Sequence, residues 1–129
     1  MRQTELGNYA REDSGQPPCV YGLDGAIVVE LHGDMDLVAY QRTVSLMDAV
    51  ASGPEPLVVI DLTRVTFFDC SGISLLMRTR RRVRGRGGRL RVVCTDPLTL
   101  RMLRITRLTS TLYPVPSLDA ALSGPSDEA

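Results

Sequence analysis

The chain predicts an α/β fold, an open mixed β-sheet of four to five strands with about four helices, on three observations. Short apolar runs rich in Val, Ile and Leu alternate with longer segments whose apolar residues recur at helical spacing. Parallel strands need helical crossovers, so that alternation builds a layered sheet. An Asp-Gly pair between the first two runs adds one antiparallel hairpin. At 129 residues and 43% apolar content, the chain buries one core and not two.

The elements follow in order. Residues 19–22 and 26–32 are strand-like and flank the Leu23-Asp24-Gly25 turn. A helix is expected over 38–51, with Val38, Val44, Met47 and Val50 on one face and Ser52-Gly53-Pro54 as its stop. Residues 57–61 form the buried central strand. From Ser71 to about Arg84, Ile73, Leu76, Met77 and Val83 mark the core face of a second helix, with Arg80 packing its stem there and its head reaching water. A strand over 89–94, a helix from Pro97 to Ile105, a strand over 111–115 and a terminal helix over 117–122 complete the unit. Residues 1–18 read as a flexible extension ending in Pro17-Pro18 and residues 124–129 as a polar tail, which leaves one domain over 19–123.

Composition narrows the function classes. No stretch reaches the roughly 18 apolar residues of a spanning helix, and the polar start MRQTELGNYARED lacks a secretory apolar stretch. Three cysteines, an odd number without disulfide-like spacing, point to a reducing compartment and a cytoplasmic location. All 15 basic residues are Arg, and 11 of them lie between Arg78 and Arg107, where Asp96 is the only acid, for a net +10. Residues 1–77 carry −7, so the neutral total hides a segregation that suits a protein-docking surface. Arg also reads phosphate well, which opens a nucleic-acid alternative. The segment has no aromatic residue for base stacking, and the sequence pI is near 6.6, both of which argue against it.

Catalytic patterns are missing. Neither Cys70 with Arg78 nor Cys94 with Arg101 fits the Cys-x5-Arg loop of thiol phosphatases, and the lone His32 has no GxSxG partner. Cys19, His32, Cys70 and Cys94 lack paired ligand spacing, so no metal and no cofactor are expected. Gly85-Arg86-Gly87-Gly88 reads as a helix stop, not a phosphate cradle.

The most informative segment is TFFDCSGISLLM over 66–77, where Ser71 sits at a strand-to-helix junction. Asp or Ser at such a place satisfies unpaired amides of the first helical turn, which also favours added negative charge. Both an ordinary helix cap and a modifiable, partner-facing serine fit.

Asp69-Cys70-Ser71-Gly72 before an apolar helix resembles the phosphoacceptor segment of STAS-domain anti-sigma factor antagonists. Gly33-Asp34-Met35-Asp36 resembles that family's Gly-Glu-Leu-Asp turn, and Gly85 to Leu90 its glycine-rich turn between helix and strand. The resemblance runs from about Val20 to Leu122 and implies a single STAS domain. It implies a non-enzymatic protein that binds an anti-sigma factor with serine kinase activity, frees the sigma factor, and is switched off by phosphorylation of Ser71. A serine phosphatase would reset it, and neither nucleic acid nor membrane is a direct partner. Asp36, Asp69, Cys70 and Gly72 would frame the site, and Ser74, Leu75, Arg78 and Arg82 would share an exposed helical face. A STAS sensor or scaffold without a phospho-switch is the alternative within the family. Cys70 stands where the family often has Ser, and Arg107 where it often has Gly at a helix end.

Overall fold

The computed structural model describes residues 17–123; residues 1–16 of the expected extension and the tail over 124–129 lie outside the described residues. Its elements are β1 (Cys19–Leu23), β2 (Ala26–Met35), α1 (Leu37–Val50), β3 (Leu57–Phe68), α2 (Cys70–Gly85), β4 (Arg89–Val93), α3 (Pro97–Ile105), α4 (Thr109–Leu112), β5 (Pro114–Val115) and α5 (Leu118–Ser123). The sheet order is β1-β2-β3-β4-β5, antiparallel at β1–β2 and parallel across the other pairs. This is the open mixed sheet that the strand-helix alternation predicts. The hairpin turn places Asp24 and Gly25 at φ 51° and 83°, both left-handed, as a two-residue turn matched to strand twist requires.

β3 opens on an unbroken apolar run, Leu57 to Ile60, because each face of that stretch meets a different core. Val58, Ile60 and Leu62 join the large cluster that includes residues of α1 and α2, whereas Val59 joins Ala26, Val28, Val93 and Ala121 under α5. The strand is also longer than expected, continuing to Phe68 beside β2. β4 pairs with it only as far as Asp61. The second halves of β2 and β3 therefore project beyond β4 as a two-stranded ribbon.

Three expectations need correction. Gly33 to Met35 is not a turn: it lies within β2, where the pairing shifts register on either side of Gly33 (φ 74°) because β3 carries an extra residue at each shift, and Asp36 opens α1. The strand expected over 111–115 shrinks to Pro114–Val115, because residues 109–112 form the short α4, too short to show a periodic pattern. The core face of α2 is also rotated. Its buried residues are Gly72, Leu75, Leu76, Thr79 and Val83, with Ile73 and Met77 packed at the margin. At 3.6 residues per turn their centre lies roughly 75° from that of Ile73, Leu76, Met77 and Val83. The centre is held by a glycine and a threonine, which an apolar count skips. Thr79 is tolerated there because its hydroxyl donates to the Leu75 carbonyl at 2.8 Å. Leu75, expected on the exposed face, is fully buried.

α2 ends as the glycine-rich turn suggests. Gly87 (φ 79°) donates to the Arg84 carbonyl at 3.0 Å and Gly88 to the Val83 carbonyl at 2.9 Å. A Cβ on Gly88 would lie 2.0 Å from the Pro56 oxygen, which accepts the Arg89 N–H as β4 begins.

α3 closes in a similar way, with Leu108 N–H donating to the Leu103 carbonyl at 2.8 Å, but its left-handed residue is Arg107, at φ 64°. A side chain there costs energy that glycine avoids, less the extra entropy glycine has when unfolded. Arg107→Gly is expected to raise stability by about 0.5–1 kcal/mol, read as a higher denaturant midpoint at unchanged slope. An unchanged or lower midpoint would mean the Arg side chain contributes contacts of its own.

Candidate functional site

Two helices start side by side where the ribbon ends. Asp34 pairs with Phe67 and Met35 with Phe68 across the parallel strands, and the next residue on each, Asp36 and Asp69, caps the helix that follows. Asp36 Oδ1 accepts the Ala39 N–H at 3.0 Å, and Asp69 Oδ1 accepts the Ser71 N–H at 2.8 Å. The Thr66 hydroxyl donates to Asp34 Oδ1 at 3.0 Å, cross-linking the two strands just before the junction. Sites at the C-terminal ends of parallel strands are common for this reason: helix N-termini and loops converge there.

The capping role belongs to Asp69, not to Ser71. Ser71 is the second residue of α2, half-buried, and no hydrogen bond among the described residues engages its hydroxyl. Cys70 and Ser74 are exposed on either side of it. Gly72 is buried against Phe68: a Cβ there would sit 2.5 Å from Phe68 Cε1 and 2.9 Å from Cζ. The Phe68 ring is itself packed in the core, so Gly72→Ala must displace a rigid group. Overpacking of this kind costs about 1–3 kcal/mol, and relief of the glycine helix penalty returns about 1 kcal/mol at most. A net loss is expected in thermal unfolding; a gain would mean the ring has room to yield.

Of the remaining expected contacts, Leu75 belongs to the core, and Arg78 and Arg82 lie toward α1. Arg78 Nε and Nη2 donate to Asp48 Oδ1 and Oδ2 at 3.0 and 2.8 Å, and Arg82 Nε lies 3.3 Å from Asp48 Oδ1. Asp48 was invisible as a site residue because its partners are about 30 residues away in sequence. The Arg78 hydrogen bonds hold the Asp48 carboxyl below its usual range, and Asp48 holds Arg78 above its own. A depressed carboxyl stabilises the fold at neutral pH, and that contribution is lost as pH falls through the folded value. Arg91 is buried and donates to the Ala121 carbonyl at 3.2 Å, so three residues of the Arg-rich segment have partners within the fold, Arg78 and Arg82 at the surface and Arg91 inside.

Beside the junction lies an open apolar groove of about 610 Å³ between the ribbon and α3. Phe67, Leu98 and Ile105 line it while remaining 52%, 75% and 68% exposed, with Arg101 and Asp96 among its polar lining. Contiguous exposed apolar surface of this kind is a common feature of sites where proteins dock other molecules. Among the described residues no helix is long and apolar enough to cross a membrane.

The family model of the STAS domain matches residues 18–121, and the chain belongs to that family. It is similar to an anti-sigma factor antagonist from Mycobacterium paratuberculosis, with 32% identity, a TM-score of 0.75, and 82% of this chain and 90% of that one covered. The fold is shared with the Bacillus cell fate determinant SpoIIAA in its phosphorylated form, at 16% identity and TM-score 0.62 over 80% of this chain and 95% of that one. It is shared equally with a sulfate transporter family protein from Wolinella succinogenes, at 18% identity and TM-score 0.67 over 80% and 86%. No curated protein matches the chain.

Proposed function

We propose that the chain is a cytoplasmic anti-sigma factor antagonist that acts by binding and not by catalysis. Unphosphorylated, it binds an anti-sigma factor carrying serine kinase activity and so frees the sigma factor; phosphorylation of Ser71 ends the binding, and a serine phosphatase restores it. The observation that carries the reading is that the fold makes no use of the Ser71 hydroxyl, since Asp69 supplies the cap. A kinase can therefore modify it without breaking a structural bond. Asp36 and Asp69 at the paired strand ends, with exposed Cys70 and Ser74, give the partner a small polar target beside the apolar Phe67 groove. Arg78 and Arg82, oriented by Asp48, give the flank of α2 a positive edge. Gly72 serves the site by letting Phe68 pack beneath it. Similarity to the mycobacterial antagonist supports the partner class.

Incubation with candidate anti-sigma kinases and ATP, followed by intact mass and peptide mapping, tests the switch. One added phosphoryl group on Ser71, and none on Ser71→Ala, is expected. A chain that binds the anti-sigma factor but is never phosphorylated would be a STAS scaffold without the switch. A gel shift at physiological salt is expected to show no complex with nucleic acid.

A further inference from the structure

We propose that Cys19, Glu30 and His32 form a binding site for a divalent transition metal of the zinc class. The sequence gives no ligand pattern because the three residues come from two strands. The β1–β2 register creates the cluster: Cys19 stands directly opposite Glu30, and His32, two residues further along β2, projects to the same face. Their ligating atoms, one sulfur, one carboxylate oxygen and one imidazole nitrogen, all lie within 4.8 Å of one another. A tetrahedral zinc held by sulfur at about 2.3 Å and by nitrogen and oxygen at about 2.0–2.2 Å needs only small side-chain adjustments from that spacing.

A second observation points to a cation. The His32 side chain is 9% exposed, and its Nε2 is buried, 3.2 Å from Glu30 Oε1, yet makes no hydrogen bond. A neutral imidazole that carries its proton on Nδ1, the tautomer that binds a metal through Nε2, would turn a nitrogen lone pair toward this carboxylate oxygen. Two acceptors at that distance repel unless a positive species sits between or beside them. A metal ion resolves the conflict and adds the thiolate of Cys19, whose proton is released to solvent on binding. Thiolate plus carboxylate matches the two charges of the ion, and the neutral imidazole completes a mixed S, O, N set that suits zinc better than magnesium or calcium. Three protein ligands leave the fourth position to water.

The site is separate from the Ser71 junction. Val29 and Leu31, which flank Glu30, point into the large core with α1 and α2, so Glu30 and His32 belong to the opposite face of the sheet. Bound metal would fasten the edge strand β1, largely exposed along its length, to β2 where the chain enters the domain.

The test uses the full chain, reduced and metal-free, titrated with Co²⁺ as a spectroscopic probe and then with Zn²⁺. One equivalent of Co²⁺ is expected to produce a sulfur-to-metal charge-transfer band that Zn²⁺ removes, and Zn²⁺ is expected to raise the unfolding temperature. Cys19→Ser, an exposed position that leaves the fold intact, should abolish the band, and Cys70→Ser should leave it unchanged. His32→Gln should weaken Zn²⁺ binding by at least about tenfold. The proposal is overturned if wild type binds neither metal at micromolar concentration. It is equally overturned if the band survives Cys19→Ser, or if His32→Gln binds Zn²⁺ as wild type does.

Discussion

Ser71→Glu is expected to remain folded and to bind the cognate anti-sigma factor at least a hundredfold more weakly than wild type, while Ser71→Ala binds normally and accepts no phosphate. Ser71 sits in the first turn of α2, where the helix dipole favours an anion, so the carboxylate does not unfold the protein. The interface responds differently. A negative group beside Asp69, with Asp36 capping the neighbouring helix, replaces a small neutral hydroxyl by charge that a partner must desolvate. About 3 kcal/mol of such cost lowers affinity by more than a hundredfold. Calorimetric titration of the three proteins against one anti-sigma factor decides the matter. Equal affinities would remove Ser71 as the switch, and weak binding by Ser71→Ala as well would make the hydroxyl a direct contact.

How far the sequence led depended on whether a feature was local. The strand-helix order, the Asp24-Gly25 hairpin and the stop after α2 were legible because each is written in consecutive residues whose backbone preferences are strong. The Ser71 junction was legible for the same reason, although two capping residues were available within three positions and the sequence did not say which one would be used. Asp69 won because its carboxylate reaches the amide two residues on, which leaves the hydroxyl of Ser71 outside the capping bond. Features made by register or by packing of distant elements were not legible. Asp48 meets Arg78 and Arg82 only once α1 and α2 lie together, Phe67 and Leu98 share a groove only because β3 runs on past β4, and Cys19 meets His32 only through the hairpin register. The positive segment likewise looked uniform in sequence, but burial of Arg91 and the Asp48 pairings divide it.

The rotated face of α2 carries the largest expected effect on stability. Leu75→Ala and Leu76→Ala should each cost on the order of 2–5 kcal/mol, since both side chains are fully buried in the large cluster and truncation leaves a cavity that the surrounding sheet cannot fill. Ser74→Ala, at an exposed position between Ile73 and Leu75, should stay within about 0.5 kcal/mol. The contrast between Leu75 and Ser74 is the informative one, because a helix rotated toward Ile73 would put Leu75 near solvent and make its truncation cheap. Denaturant midpoints of the three variants measure it. A Leu75→Ala midpoint close to that of Ser74→Ala would mean that Gly72 and Thr79 do not lie at the centre of the packed face, and that the surface offered to a partner beside Ser71 includes Leu75 after all.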